Sequence, residues 1–196
     1  MTTYTVFQQA GGGTIADDSS TYTLGMAFTL SQPATLTGIW FYSAAGANGL
    51  PVGCAVYLNT GTGTGTIVAG SENDSPSWSA AAGSGWVRCA YPGGPSLSAS
   101  VQYKVVVLKD ATSQVYSATS HYWDSGPGSG GITNGILTAP NSGDGGQDSY
   151  VSPSASLTYP ASSFNAANYW IDVEVSDGSP PPPAAGPAYA AFMSSM

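Results

Sequence analysis

Positive charge is what this 196-residue sequence has least of. Three Lys+Arg stand against 11 Asp+Glu, with one His and a net charge of −8. Binding a nucleic-acid backbone needs a basic face, so nucleic acid is excluded as a partner. Charged residues of both signs make up only 7%, where soluble proteins average roughly 25%. A helical bundle or coiled coil depends on abundant Glu, Lys, Arg and Leu and cannot be built from that supply. No apolar run approaches ~18 residues, so no membrane-spanning helix is expected. With two Cys and one His there is neither a disulfide framework nor a zinc-ligand set. No cofactor is expected either. What is abundant is Gly, Ser and Thr, more than a third of the chain, beside 42% hydrophobic and 11% aromatic residues. That is enough apolar material for a core, which excludes general disorder. An ordered, weakly charged, all-β domain is what remains.

Period-two alternation recurs along the chain, and helical periodicity over three turns does not. Leu24, Met26, Phe28 and Leu30 share one side of LGMAFTL, and Leu36, Trp40 and Tyr42 recur in TLTGIWFYS. PVGCAVYLN, GWVRCAY and VQYKVVVL follow, and NYWIDVEV is the last clear strand. Short strands separated by Gly, Pro and Ser turns predict a jelly-roll-like antiparallel β-sandwich. Phe28, Trp40, Val105, Val107, Trp170 and Ile171 are its expected buried core. Between Tyr116 and Phe164 the pattern loosens over a stretch too long for one structureless loop. Short strands are expected there, near residues 119–123 and 149–151.

From Asp177 the composition changes to DGSPPPPAAGPAYAAFMSSM. Consecutive prolines favour an extended polyproline II segment and end any strand. The expected organisation is an N-terminal arm or first strand over 1–23, a sandwich over 24–176 and a Pro-rich tail over 177–196. Pro181, Tyr189, Phe192 and Met193 of that tail are expected to dock on another subunit or virion protein, the alternative being a tail folded back over its own sandwich.

Cys54 shares a strand face with Val52, Val56 and Leu58, and Cys89 with Val87 and Tyr91. Both are expected in the core, either as free thiols or joined between strands or sheets. The N-terminal MTTYTVFQQAGGG has neither a basic stretch nor an apolar run, so no secretory leader is expected. A hydroxyl-rich, Lys-poor surface nevertheless suits work outside a cell. Two routes reconcile these features: a trimmed signal, or release by lysis as a component of a virus particle. Starting at Met1 favours the second.

Catalytic chemistry finds little to use. A nucleophilic triad needs Ser or Cys beside His, and only His121 is available, with no G-x-S-x-G elbow. A glycosidase needs paired carboxylates, and Asp172 and Glu174 project from one strand face about 7 Å apart. That face is expected to be solvated, and no catalytic residue is assigned. Asn141, Asp144 and Asp148 in NSGDGGQD are candidate Ca²⁺ ligands, but their spacing is not that of an EF-hand loop, and a polar turn is expected instead. Aromatic rings can cover the apolar face of a pyranose while Asp and Asn hold its hydroxyls. Tyr122, Trp123 and Asp124 beside a Gly-rich loop, with Asn134 further on and Trp78 in SPSWSAA, are therefore the candidate glycan-binding residues.

GMAFTLSQPATLTGIWFYSAAGANG, GWVRCAYPGGPSLSASVQYKV and FNAANYWIDVEV, in that order, resemble domain of unknown function 4082 of secreted bacterial proteins. FNAANYWIDV, Phe164 to Val173, is the most specific portion of the resemblance, which runs from Leu24 to Val175. It implies a jelly-roll sandwich of the kind attached to carbohydrate-active and cell-surface proteins. Standing alone, without a catalytic domain, the chain is similar to minor tail or decoration proteins of tailed bacteriophages. The expected function is a non-enzymatic virion structural protein, a minor tail protein that binds host cell-wall glycan. Its expected partners are other virion proteins, copies of itself and cell-wall polysaccharide. A capsid decoration protein and a secreted carbohydrate-binding module are the alternatives.

Overall fold

The computed structural model describes residues 1–16, 20–43, 50–60, 63–79, 85–109, 115–141, 146–147 and 149–178. Strands in chain order are β1 (Thr3–Thr5), β2 (Thr14–Ala16), β3 (Tyr22–Leu30), β4 (Ala34–Ser43), β5 (Gly53–Asn59), β6 (Gly65–Ile67) and β7 (Gly85–Ala90). They continue with β8 (Ser96–Leu97), β9 (Gln102–Lys109), β10 (Tyr116–Ala118), β11 (Ile132–Asn134), β12 (Leu137–Ala139), β13 (Ser149–Val151) and β14 (Ile171–Ser176). Among the described residues there is no helix, and every pairing is antiparallel.

Two sheets face each other. One runs β1-β14-β4-β7, with β8 also on β4; the other runs β11-β12-β3-β9-β5-β6, with β13 also on β3. The long strands β3, β4, β5, β7 and β9 alternate between the sheets, the winding expected of a jelly roll. β13 occupies the expected 149–151 stretch. The other expected strand, 119–123, is a turn with only an isolated bridge at Thr119. His121 sits at φ 56°, a left-handed conformation that cannot continue a strand.

The alternation on β3 sets the core. Leu24, Met26, Phe28 and Leu30 point inward against Leu36, Ile39 and Phe41 of β4, Val105 and Val107 of β9, and Ile171, Val173 and Val175 of β14. Each such side chain contributes about 1.5–3 kcal/mol by leaving water. Phe28 stacks on Tyr103 with ring centroids 5.5 Å apart. Of the expected core residues, only Trp40 departs, being half-buried. It lies on the outer face of β4, where its indole N–H donates to Glu174 Oε2 at 3.0 Å.

That outer face is not the solvated surface expected for Asp172 and Glu174. Asp172 is fully buried and Glu174 is 8% exposed. The N-terminal arm folds over Asp172, whose carboxylate accepts hydrogen bonds from the backbone N–H groups of Val6, Phe7 and Val173, each at 2.8 Å. Glu174 is covered by Arg88, whose Nε donates to Oε2 at 3.0 Å, and it also accepts from the Thr37 hydroxyl at 2.8 Å. Arg88 reaches it by crossing Gly38: a Cβ there would lie 2.9 Å from the guanidinium Nε.

All three basic side chains are engaged in this way. Lys104 is 5% exposed, and its ammonium donates to the Pro160 carbonyl at 2.9 Å and lies over the Tyr159 ring. Burial pulls its pKa down to about 8. Lys109 is 3% exposed and donates to the Ser20 carbonyl at 2.6 Å. The bonds that trypsin would cut after Arg88 and Lys104 therefore lie within paired strands, β7 and β9. We expect both bonds to survive trypsin in a gel time course of the native chain, while urea-unfolded chain is cut at both. Prompt cutting of native protein at Lys104 would contradict this packing.

Candidate functional site

Next to Leu24 of the core lies an open cleft of about 250 Å³. Its walls are Tyr22, Tyr116, Tyr150, Phe164 and Tyr169, with Leu24 at the base. These rings arrive from separate elements. Tyr22 begins β3 and continues its inward-facing register, Tyr116 begins β10, Tyr150 is central in β13, and Tyr169 precedes β14. Tyr22 lies 5.7 Å from Tyr116 and 6.1 Å from Tyr150, and Tyr116 lies 5.8 Å from Tyr169, all with tilted or edge-on rings. Lys109, paired with Tyr22 across the sheet, places its ammonium 5.4 Å from the Tyr22 ring and 6.0 Å from Tyr116. The buried cation is thus set against the aromatic wall. Phe164 lies on the rim and is 60% exposed.

The glycan residues expected from sequence are elsewhere and are not brought together. Trp123 is 1% exposed, so its ring is core packing and not a platform, and Tyr122, 7% exposed, lines a separate cleft with Phe7, Ile132 and Trp170. Tyr122 meets Trp123 and Trp170 edge-on at 5.0 and 5.3 Å, with Phe7 packed beside them. The Gly-rich loop wraps onto these rings: a Cβ at Gly128 would come within 2.6 Å of Trp123. Asp124 is exposed and pairs with His121 Nδ1 at 3.0 Å while accepting from Ser125 Oγ at 2.9 Å. The His121 hydrogen bond, then that of Ser125, holds the Asp124 carboxyl below its usual range. Ser125 donates to the carboxylate, so in this arrangement the imidazole does not activate it as a nucleophile. Asn134 donates its amide to the Thr5 carbonyl at 2.7 Å, tying β11 to the arm.

Trp78 is half-buried in a separate shallow groove with Leu50, Pro51, Asp74 and Pro76, its indole N–H donating to the Pro51 carbonyl at 2.7 Å. Asn141 donates to the Ser129 carbonyl at 2.9 Å. Asp144 and Asp148 lie outside the described residues, as do Pro181, Tyr189, Phe192 and Met193. Sequence reasoning missed the cleft because its tyrosines are spread from 22 to 169. The one local signal was the FNAANYW run, which carries both Phe164 and Tyr169.

Fold and cleft define the class: a two-sheet, jelly-roll-wound antiparallel β-sandwich with an aromatic-lined mouth. The chain belongs to the family described as Domain of unknown function (DUF4082), which matches residues 8–171. That span contains every residue of the cleft. No curated protein and no solved structure matches the chain.

Proposed function

We propose that this chain is a non-enzymatic structural and adhesive protein of a bacteriophage particle, a minor tail protein that binds host cell-wall glycan through the aromatic cleft. The cleft is the observation that carries the binding reading. Tyrosine and phenylalanine rings offer flat apolar faces to the C–H face of a sugar, at low cost in side-chain entropy. A volume of about 250 Å³ is below the ~300–1,000 Å³ of ligand pockets in general, which suits one saccharide ring and not an extended chain. The net charge of −8 disfavours strongly anionic polymers, so a neutral glycan is the better match.

Work outside the cytoplasm is supported by the placement of charge. The basic side chains are engaged in the fold, leaving a surface of hydroxyls, glycine and acids. The cleft opens beyond the first residue of β14, while Thr2 and Asp177 meet beyond its last, about 20 Å along the strand. Attachment at one end and recognition at the other is the layout a tail adhesin needs. A capsid decoration protein or a secreted carbohydrate-binding module would share the cleft and differ in location.

The test has two arms. Wild-type protein should be retained by immobilised host cell-wall polysaccharide, and Phe164→Ala should weaken retention about tenfold, equivalent to about 1.4 kcal/mol, with an unchanged melting temperature. Equal retention of both proteins would remove the cleft from the reading. Antibody raised against the chain should label the tails of purified particles. Labelling of heads supports decoration, and protein found only free in the medium would replace the virion reading with the secreted module.

A further inference from the structure

The chain's two thiols sit on facing sheets inside the same core and share their neighbours. Cys54 is the second residue of β5 and pairs with Val107; Cys89 lies on β7 and pairs with Ile39. Both are free and buried, at 0% and 1% exposure, and both belong to the one core cluster between the sheets. Those neighbours hold the two side by side. The Tyr91 hydroxyl is 3.3 Å from Cys54 Sγ and donates to the Ser71 carbonyl at 2.8 Å. The Asn73 backbone exchanges two 2.9 Å hydrogen bonds with Cys54, and its side-chain amide lies 3.5 Å from Cys89 Sγ. One short segment, 71–73, therefore holds both cysteines.

We propose that Cys54 and Cys89 form a disulfide between the two sheets when the protein meets an oxidising medium. The oxidant is a small-molecule disulfide, RSSR. The Cys89 thiolate attacks one sulfur of RSSR, forming a mixed disulfide and expelling RS⁻. Cys54 then loses its proton and attacks the Cys89 sulfur, expelling the second RS⁻. The two protons released by the cysteines end on two RSH, and the two electrons reduce the oxidant's S–S bond. Cys89 suits the first step: the neighbouring Cys54 thiol, helped by the Asn73 amide and opposed by burial, lowers its pKa to about 7. Cys54 has its pKa raised by the neighbouring Cys89 thiol and by burial, and it remains a thiol until the second step. Access is greatest while the sheets are still docking, so the bond forms during folding or on local opening.

The bond would tether 34 intervening residues and restrict the unfolded chain accordingly. It stands independently of the glycan reading, since neither cysteine lines the cleft.

The full chain, purified under reducing conditions, is incubated with oxidised glutathione, then denatured and alkylated. Before oxidation two alkyl groups per chain are expected. Afterwards none should add, the intact mass should fall by two hydrogens, and the protein should remain monomeric on a non-reducing gel. The melting temperature should rise by on the order of 10 °C, return to its original value with reductant, and show no such rise in Cys54→Ala. Two alkylatable thiols after oxidation, glutathione adducts or disulfide-linked dimers would each overturn the proposal.

Discussion

Asp172→Ala is expected to destabilise the domain by about 3–5 kcal/mol, enough to leave much of it unfolded at 37 °C. The carboxylate is the acceptor for Val6, Phe7 and Val173 N–H groups in a fully buried place. Alanine leaves all three donors without a partner and detaches the arm from the sheet. Asp172→Asn should be intermediate. Its carbonyl oxygen still accepts from Val6 and Val173, while its amide turns a donor toward the Phe7 N–H. Burial, opposed by the three donors, raises the Asp172 pKa to about 7, above the unfolded value of about 3.9. The sign follows from linkage: this group's contribution is fully present below pH about 4 and is lost as pH rises through about 7. Urea midpoints measured at intervals from pH 4 to 8 should fall across that window in the wild type, with a flatter profile in Asp172→Asn. A wild-type midpoint for Asp172→Ala would mean the arm is not held as described.

Trp123→Ala should cost about 3–5 kcal/mol, because the ring is almost fully enclosed against Phe7 and Tyr122. Trp123→Phe keeps an apolar ring in the same place and should lose much less. The informative comparison is glycan retention. Trp123→Phe should be retained like the wild type, whereas Phe164→Ala should not. If Trp123→Ala instead melted normally and lost only retention, the ring would be a sugar platform, as the sequence pattern suggested.

The strands were legible because alternation records which residues share a face. Leu24, Met26, Phe28 and Leu30 announced β3, and Ile171, Val173 and Val175 announced β14. Alternation does not record what lies on the opposite face. Asp172 and Glu174 were correctly assigned to one side of a strand, yet the groups that cover them arrive from far away. Phe7 is 165 residues from Asp172, and Arg88 is 86 from Glu174. The same distance problem hid the cleft. Contiguous aromatics such as Tyr122 and Trp123 attract notice in a sequence, whereas Tyr22, Tyr116, Tyr150 and Tyr169 converge only once two sheets and the separate β2–β10 pair have assembled. Contiguity also misled in a second way: neighbouring bulky rings beside glycines mark a loop folded tightly onto its own side chains.

The meeting of the chain's two flanks has a mechanical consequence. Thr2 N–H donates to Asp177 Oδ1 at 2.6 Å, and Asp177 N–H returns a bond to the Thr2 carbonyl at 3.1 Å, closing the antiparallel β1–β14 pair at its outer end. Tension applied between these flanks acts across the strands, so the cross-strand bonds would break in succession like a zipper. Shearing, which loads all the bonds of a pair together, would need a pull along the strand axis. Peeling would proceed from Thr3–Ser176 toward Thr5–Glu174 and then lift Val6 and Phe7 from Asp172, exposing a buried carboxylate. A pull transmitted from the mouth of the sandwich to a single flank takes another route, running lengthwise along β14 and into the paired sheet. A domain held by one flank and gripped at its far end would therefore bear load in its stiff direction, and the same domain strung in series between two neighbours would yield at its first strand.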